Sequence, residues 1–283
     1  VAKAPVKQDK TNVATLDDSA QVPDYLRDNQ QGSGLQGLDM SDFLVPRIKL
    51  LQAISPEVTE FENAKAGDFW LTVADMPLGN VLDFIPISNR KRYLLMAQMG
   101  QTPKGIMARA DDGIHWVPPN GSWDVTIKGR RGTVKWETKP TVRESGLGEF
   151  GSQDPENPDS NPAATLFYEY LVYLPDFPEQ SPVLLSLARS QAKKARELNG
   201  KIEFAKKPMQ SLRFRMGVVV DTGAEGDYNN YSFVRNGWAT HEQFEGCQQL
   251  AERFKDYRAA DEETAVAEAQ GSMDKSVADE KEI

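Results

Sequence analysis

With 283 residues, 39% of them hydrophobic, the chain can build one large domain or two small ones, and its single cysteine, Cys247, excludes an intrachain disulfide. No apolar run reaches the roughly eighteen residues that a membrane span needs, and Val1-Ala2-Lys3-Ala4-Pro5 is not followed by the hydrophobic stretch of a secretory signal. A soluble cytoplasmic protein with no membrane partner is therefore expected.

The net charge of −9 conceals an uneven distribution. Asp261 to Ile283 holds eight acidic and two basic residues, and Thr141 to Ser160 holds five acidic residues and one arginine. Arg90 to Lys139 instead carries ten basic and four acidic residues, and Arg189 to Arg215 nine basic and two acidic. The acid sits in a tail and one loop, and the body carries two cationic stretches.

Along the chain, residues 1–40 read as a disordered arm, too polar and glycine-rich around Asn29-Gln30-Gln31-Gly32-Ser33-Gly34 to offset the entropy of ordering. A β-rich body is expected over 41–260. Phe43 to Leu51, broken by Pro46, fits an edge strand. Strand-like runs follow at Phe69–Val73, Val81–Ile87, Tyr93–Gln98, Gly105–Ala110, Ile114–Val117, Trp123–Ile127 and Thr133–Glu137. Asp112-Gly113 marks a tight turn, and Lys128-Gly129-Arg130-Arg131-Gly132 marks a basic one.

The segment 144–163 contains three prolines and reads as a long surface loop. Thr165–Leu174, rich in aromatic residues, and Pro182–Leu187 are the strongest strand signals. Ser190–Leu198 reads as a basic helix with Ser190 as N-cap and Gly200 as its stop. Leu212–Val220 and Tyr228–Val234 form a strand pair. Thr240 to about Ala260 carries Phe244, Cys247, Leu250, Ala251 and Phe254 at helical spacing, capped by Thr240. The acidic tail, 261–283, reads as disordered. The expected class is α+β and β-rich: a partly closed antiparallel sheet, of which an OB-like barrel is one form, with two helices and disordered termini.

Catalytic chemistry finds little foothold. His115, His241 and Cys247 do not spell a metal-ligand set, the Asp111-Asp112 pair belongs to a turn, and no cofactor or catalytic residue is expected. Cys247 lies on the apolar face of the last helix, where a thiol packs as a small hydrophobe. No Gly-x-Ser-x-Gly elbow, dinucleotide fingerprint or phosphate loop is present.

Binding is the remaining class. Single-stranded nucleic acid is held by cations along the backbone and aromatic faces under the bases. Both residue types interleave in this chain: Arg90-Lys91-Arg92-Tyr93, then Trp123, then Lys128, Arg130 and Arg131 leading to Lys135-Trp136, then Arg213-Phe214-Arg215. In an extended strand Arg213 and Arg215 share a face and Phe214 points away. The competing reading of each is a solvated charge above a core aromatic. Lys193, Lys194, Arg196 and Lys201 either track phosphates or keep a surface helix soluble.

The run Val45-Pro46-Arg47-Ile48-Lys49-Leu50-Leu51-Gln52, with Ser55-Pro56-Glu57-Val58, Ala66-Gly67-Asp68-Phe69-Trp70, Leu198-Asn199-Gly200-Lys201 and Gly226-Asp227-Tyr228, resembles a family of uncharacterised bacteriophage proteins over most of residues 40–260. More loosely, the tail ending Asp279-Glu280-Lys281-Glu282-Ile283 is similar to the acidic tails of single-stranded DNA-binding proteins of short-tailed phages and bacteria. That likeness implies a DNA replication or recombination role in the cytoplasm of the infected host. It also implies that Asp279, Glu280, Glu282 and Ile283 recruit replication or recombination proteins. The alternative is a protein-binding factor, either a host-enzyme inhibitor or a virion component, using the acidic loop and the tail. A carboxylate–magnesium nuclease is a third reading.

Overall fold

In the computed structural model, residues 44–96, 106–117, 122–127, 130–135, 141–154, 156–223, 226–255 and 258–259 are described. Leu44 and residues 122–127, 130–135 and 258–259 are described by their backbone alone. The expected disordered arm and tail lie outside these residues. In chain order the elements are β1 (Leu44–Val45), β2 (Arg47–Leu50), α1 (Pro56–Glu60), β3 (Phe69–Leu71), β4 (Met76–Gly79), β5 (Val81–Met96) and β6 (Ile106–Ala110). They continue with β7 (Ser122–Ile127), β8 (Arg130–Lys135), α2 (Val142–Ser145), β9 (Ala164–Tyr173), β10 (Val183–Ala188), α3 (Ala192–Ala205), β11 (Leu212–Gly223), β12 (Gly226–Trp238), α4 (His241–Arg253) and β13 (Arg258–Ala259).

The two strongest strand signals lie at the centre of the principal sheet. Its order is β12-β11-β5-β9-β10-β2-β3-β4, with β6 added to β5. Most pairings are antiparallel, whereas β2 runs parallel to β10. The sheet curls, so its inner face wraps a core of Ile48, Phe69, Phe84, Tyr170, Leu185, Phe214, Met216, Tyr231 and Phe233. Phe69 on β3 stacks on Tyr231 of β12 at 5.8 Å although the two strands stand far apart in strand order. The result is a half-barrel with β12 near its seam.

Side chains bridge that seam. The Gln52 amide donates to the Asn229 carbonyl at 3.0 Å and accepts from the Asn229 N–H at 2.9 Å, as a neighbouring strand would. Asn229 Nδ2 donates to the Leu51 carbonyl at 3.1 Å. Farther along, α3 lays Ala195 and Leu198 into the core, and the Lys201 ammonium donates to the Phe233 carbonyl. The outer face carries Ile85, Ile87, Leu171 and Leu184, covered by α4 through Cys247, with Leu250, Ala251 and Phe254 packed alongside. Burial pushes the Cys247 thiol up to about 12, in keeping with a packed, inert cysteine.

Several expectations need correction. Pro46 does not mark an edge strand, because β2 lies between β10 and β3. Pro46 falls between β1 and β2, where its carbonyl accepts from Leu184 N–H at 2.8 Å and no proline donor is needed. The expected strands 81–87 and 93–98 are one sixteen-residue strand, β5, with a bulge between Pro86 and Ser88. Gly200 does not stop its helix. The buried stripe Ala192, Ala195 and Leu198 continues to the half-buried Ile202 and Ala205, and α3 ends at Lys206 in the left-handed conformation.

Thr240 caps α4 as expected, in a capping box with Gln243. The expected strand at 114–117 makes only isolated bridges. Arg130 and Arg131 belong to β8, where Ile127 pairs with Arg130 and Thr126 with Arg131, and not to the expected basic turn; positions 128–129 lie outside the described residues.

Replacing Gln52 by Ala removes both bonds to Asn229 and leaves its partly buried backbone groups unmatched. A loss of about 1–3 kcal/mol in unfolding free energy is expected, read from the midpoint of denaturant unfolding.

Candidate functional site

The predicted basic residues of β5 and β11 fall on both faces of the sheet, and backbone register explains the split. Directly opposed residues in a sheet share a face. Arg90 opposes Glu169, and Arg92 opposes Phe167 on the same face. Arg90 Nε donates to Glu169 at 2.6 Å. Arg92, whose side chain is 2% exposed, places Nε 3.6 Å from Glu169 and Nη1 3.8 Å from Asp111. Arg92 is thus an interior ion-pair partner, not the phosphate contact expected from sequence.

Arg213 and Arg215 repeat the arrangement on β11. Asp83 of β5 is 3% exposed and opposes Arg215. It accepts from Arg215 at 2.7 and 3.1 Å, from Arg213 at 3.0 and 2.7 Å, and from Asn236 Nδ2 at 2.9 Å. Phe214 points into the core, as the alternation required. The Arg215 hydrogen bond, with Arg213 beside it, holds the Asp83 carboxyl below its ordinary range against the upward push of burial. Asp83 and Arg90 are seven positions apart on β5, roughly 23 Å at strand rise, with α4 packed on the sheet between them through Ile85 and Ile87. Arg90 and Arg92 are thus held in one carboxylate cluster and Arg213 and Arg215 in another, and these four do not line one channel.

Lys91 and Tyr93 occupy the opposite face, opposing Tyr168 and Leu166. There Tyr93 packs against a small separate core that includes Leu95, Ala108, Ala110, Trp116, Val142 and Leu147. The chain reaches this place by two turns. After β6, Gly113 adopts φ +71° and donates to the Ala110 carbonyl, while Asp112 Oδ1 accepts from the Ile114 and His115 N–H groups at 2.7 Å each. After position 141, the capping box of Thr141 and Glu144 starts α2, and Trp116 Nε1 donates to Ser145 Oγ at 3.0 Å.

Together these segments leave an open groove of about 550 Å³ lined by Lys91, Tyr93, Gly113, Ile114, Thr141, Val142, Arg143, Gly148 and Glu149. Lys91 Nζ lies 5.2 Å above the Tyr93 ring. The lining offers an aromatic face, two cations, one carboxylate and an apolar side wall, which suits an amphipathic anionic ligand.

Sequence reasoning missed Arg143 and Gly148 as groove residues and identified Gly113 as a turn residue only. The Thr141-x-x-Glu144 spacing is a readable helix start, although Glu144 also opens the proline-rich segment expected as a loop. That loop is held by its own bonds, Gly151 N–H to Ser160 O at 2.7 Å and Asp154 N–H to Ser160 Oγ at 3.0 Å.

Trp123, Arg130, Arg131 and Lys135 lie on the two-stranded ribbon β7–β8, where Trp123 pairs with Val134, Thr126 with Arg131, and Ser122 with Lys135. Lys128, Trp136 and the tail residues Asp279, Glu280, Glu282 and Ile283 lie outside the described residues. Among the described residues no three His, Cys, Asp or Glu gather as a metal-ligand set, and no helix is long and apolar enough to cross a membrane.

Comparison with known proteins adds one match. Residues 13–260 match the family described as Pam3 phage gp34-like protein. The chain belongs to that bacteriophage family. No curated protein and no solved structure matches it.

The Asp83 cluster makes a pH prediction. A carboxyl whose folded value is depressed stabilises the fold above its unfolded value, and that contribution is lost as pH falls through the folded one. Asp83→Asn is expected to cost on the order of 2 kcal/mol near neutrality, less than the 3–5 of a fully buried pair because both arginines reach solvent. The gap between wild type and variant should close as pH falls below the ordinary carboxylate range, as followed by urea unfolding at stepped pH.

Proposed function

We propose that this phage protein binds single-stranded DNA during replication or recombination in the cytoplasm of the infected host. The observation that carries this reading is the groove in which Tyr93 is lined up with Lys91 and Arg143. Cations beside an aromatic face are the minimal unit of sequence-independent single-strand binding: charge engages the phosphates and the ring engages a base. The basic ribbon bearing Arg130, Arg131 and Lys135 supplies a second cationic element. The similarity of the acidic tail to those of single-stranded DNA-binding proteins supports the same reading, with Asp279, Glu280, Glu282 and Ile283 contacting replication or recombination proteins. Arg90, Arg213 and Arg215 would contribute field more than direct contact, since each already holds a buried carboxylate.

Titration of labelled oligo-dT over a salt series tests this reading. The logarithm of affinity should fall linearly with the logarithm of salt, and Lys91→Gln with Arg143→Gln should reduce the slope by about 1.4, or 0.7 per lost phosphate contact. Absent binding at low salt, or binding indifferent to salt, would refute it.

A second reading, a protein-binding factor acting on a host enzyme or in the virion, is favoured by Phe150. This residue is 75% exposed at the start of the acidic loop, and a large exposed aromatic commonly anchors a protein contact. Capture from host lysate with and without nuclease separates the two. A partner that survives nuclease and is lost with Phe150→Ser favours the protein contact; one released by nuclease favours DNA.

A further inference from the structure

We propose that the groove is a one-nucleotide subsite that stacks a single unpaired base on Tyr93 and passes the adjoining phosphate to Lys91 and Arg143. This rests on the reading of the groove as a nucleic-acid site. The ring is fixed from its edges. Trp116 meets it edge-on at 6.5 Å and 65°. A Cβ at Gly148 would stand 3.0 Å from Tyr93 Cε1 and 3.1 Å from Val142 Cγ1, so the chain passes close against the edge of the ring.

A Cβ at Gly113 would stand 2.7 Å from the Lys91 carbonyl oxygen, which pins the opposite wall to the β5 backbone. The ring is therefore held by backbone and core, not by other mobile side chains, and a stacking platform needs that rigidity.

Its covered face is occupied by the Lys91 ammonium, 5.2 Å from the ring centroid, on a flexible exposed stem. An ammonium and a base compete for the same π face. A base entering the groove displaces the ammonium, which then lies free to neutralise the phosphate of that nucleotide. Arg143, exposed on α2, supplies the second cation at the rim. The volume of about 550 Å³ accommodates one nucleotide. Tyr93 is half-buried below the Gly113 and Thr141 segments, so a base must leave its stack to reach the ring, and a paired base is excluded.

The test uses the full chain at low salt with three probes of equal length: oligo-dT, the same backbone made wholly of abasic sites, and a blunt duplex. Fluorescence anisotropy should show wild type binding oligo-dT about ten-fold more tightly than the abasic strand, the size of one stacked base, with the duplex no better than the abasic strand. Tyr93→Phe should keep the gap and Tyr93→Leu should shrink it below two-fold, with thermal unfolding run alongside to confirm that both variants fold.

Equal binding of oligo-dT and abasic strand by wild type overturns the subsite while leaving single-strand binding in place. So does a gap that persists in Tyr93→Leu. Failure of wild type to bind either strand overturns the DNA-binding reading itself.

Discussion

Two buried carboxylates govern how this sheet distributes its charge. Asp83 and Glu169 lie on the face that α4 covers, on neighbouring strands, each 3% exposed and each held by two arginines. A carboxylate taken out of water in this way is tolerated only with its charge matched and its lone pairs filled. Asp83 meets the condition with five hydrogen bonds from Arg213, Arg215 and Asn236. The chain is acidic overall, yet β5 and β11 commit four arginines, Arg90, Arg92, Arg213 and Arg215, to these carboxylates. Arginine suits this role because its planar fork grips a carboxylate with two parallel bonds while its stem packs on apolar neighbours.

The curled sheet depends on the same economy of polar groups. An open sheet edge exposes backbone donors and acceptors, and β12 sits at such an edge. Gln52 and Lys201 each reach across to it, the first with an amide that mimics a strand and the second with an ammonium on the Phe233 carbonyl. Full closure into a barrel is therefore unnecessary: two long side chains and α3 protect the edge while the aromatic core fills the interior.

Much of this was legible in the sequence. The aromatic run at 165–174 and the short apolar run at 182–187 identified the central strands, because buried strands read as near-continuous apolar stretches. Thr240 and the 3.6-residue spacing of Phe244, Cys247, Leu250, Ala251 and Phe254 located α4. What escaped was non-local. The sign of a charge is written in the sequence, but its partner is not: Arg213 and Asp83 are 130 residues apart. Pro46 looked like an edge marker, although a break between two strands accommodates its missing donor equally well. Arg143 went unnoticed because its importance comes from the fold bringing α2 over β5, and nothing in the spacing of the two segments announces that.

The bulge between Pro86 and Ser88 connects these observations. Ahead of it, Asp83 and Ile85 face α4; an uninterrupted alternation would put Lys91 and Tyr93 on that face as well, among Leu171 and Glu169. The extra residue reverses the parity, because strand side chains alternate with a strict period of two. Arg90 and Arg92 thereby turn toward Glu169, and Lys91 and Tyr93 emerge beside Val142 and Gly148. Strand alternation divides four consecutive residues that look in sequence like a single cationic patch, and the inserted position decides which pair joins the internal ion-pair cluster and which lines the open groove. The groove exists because that division places its aromatic and its lysine together on the far side of the strand from the carboxylate that would otherwise have claimed the charge.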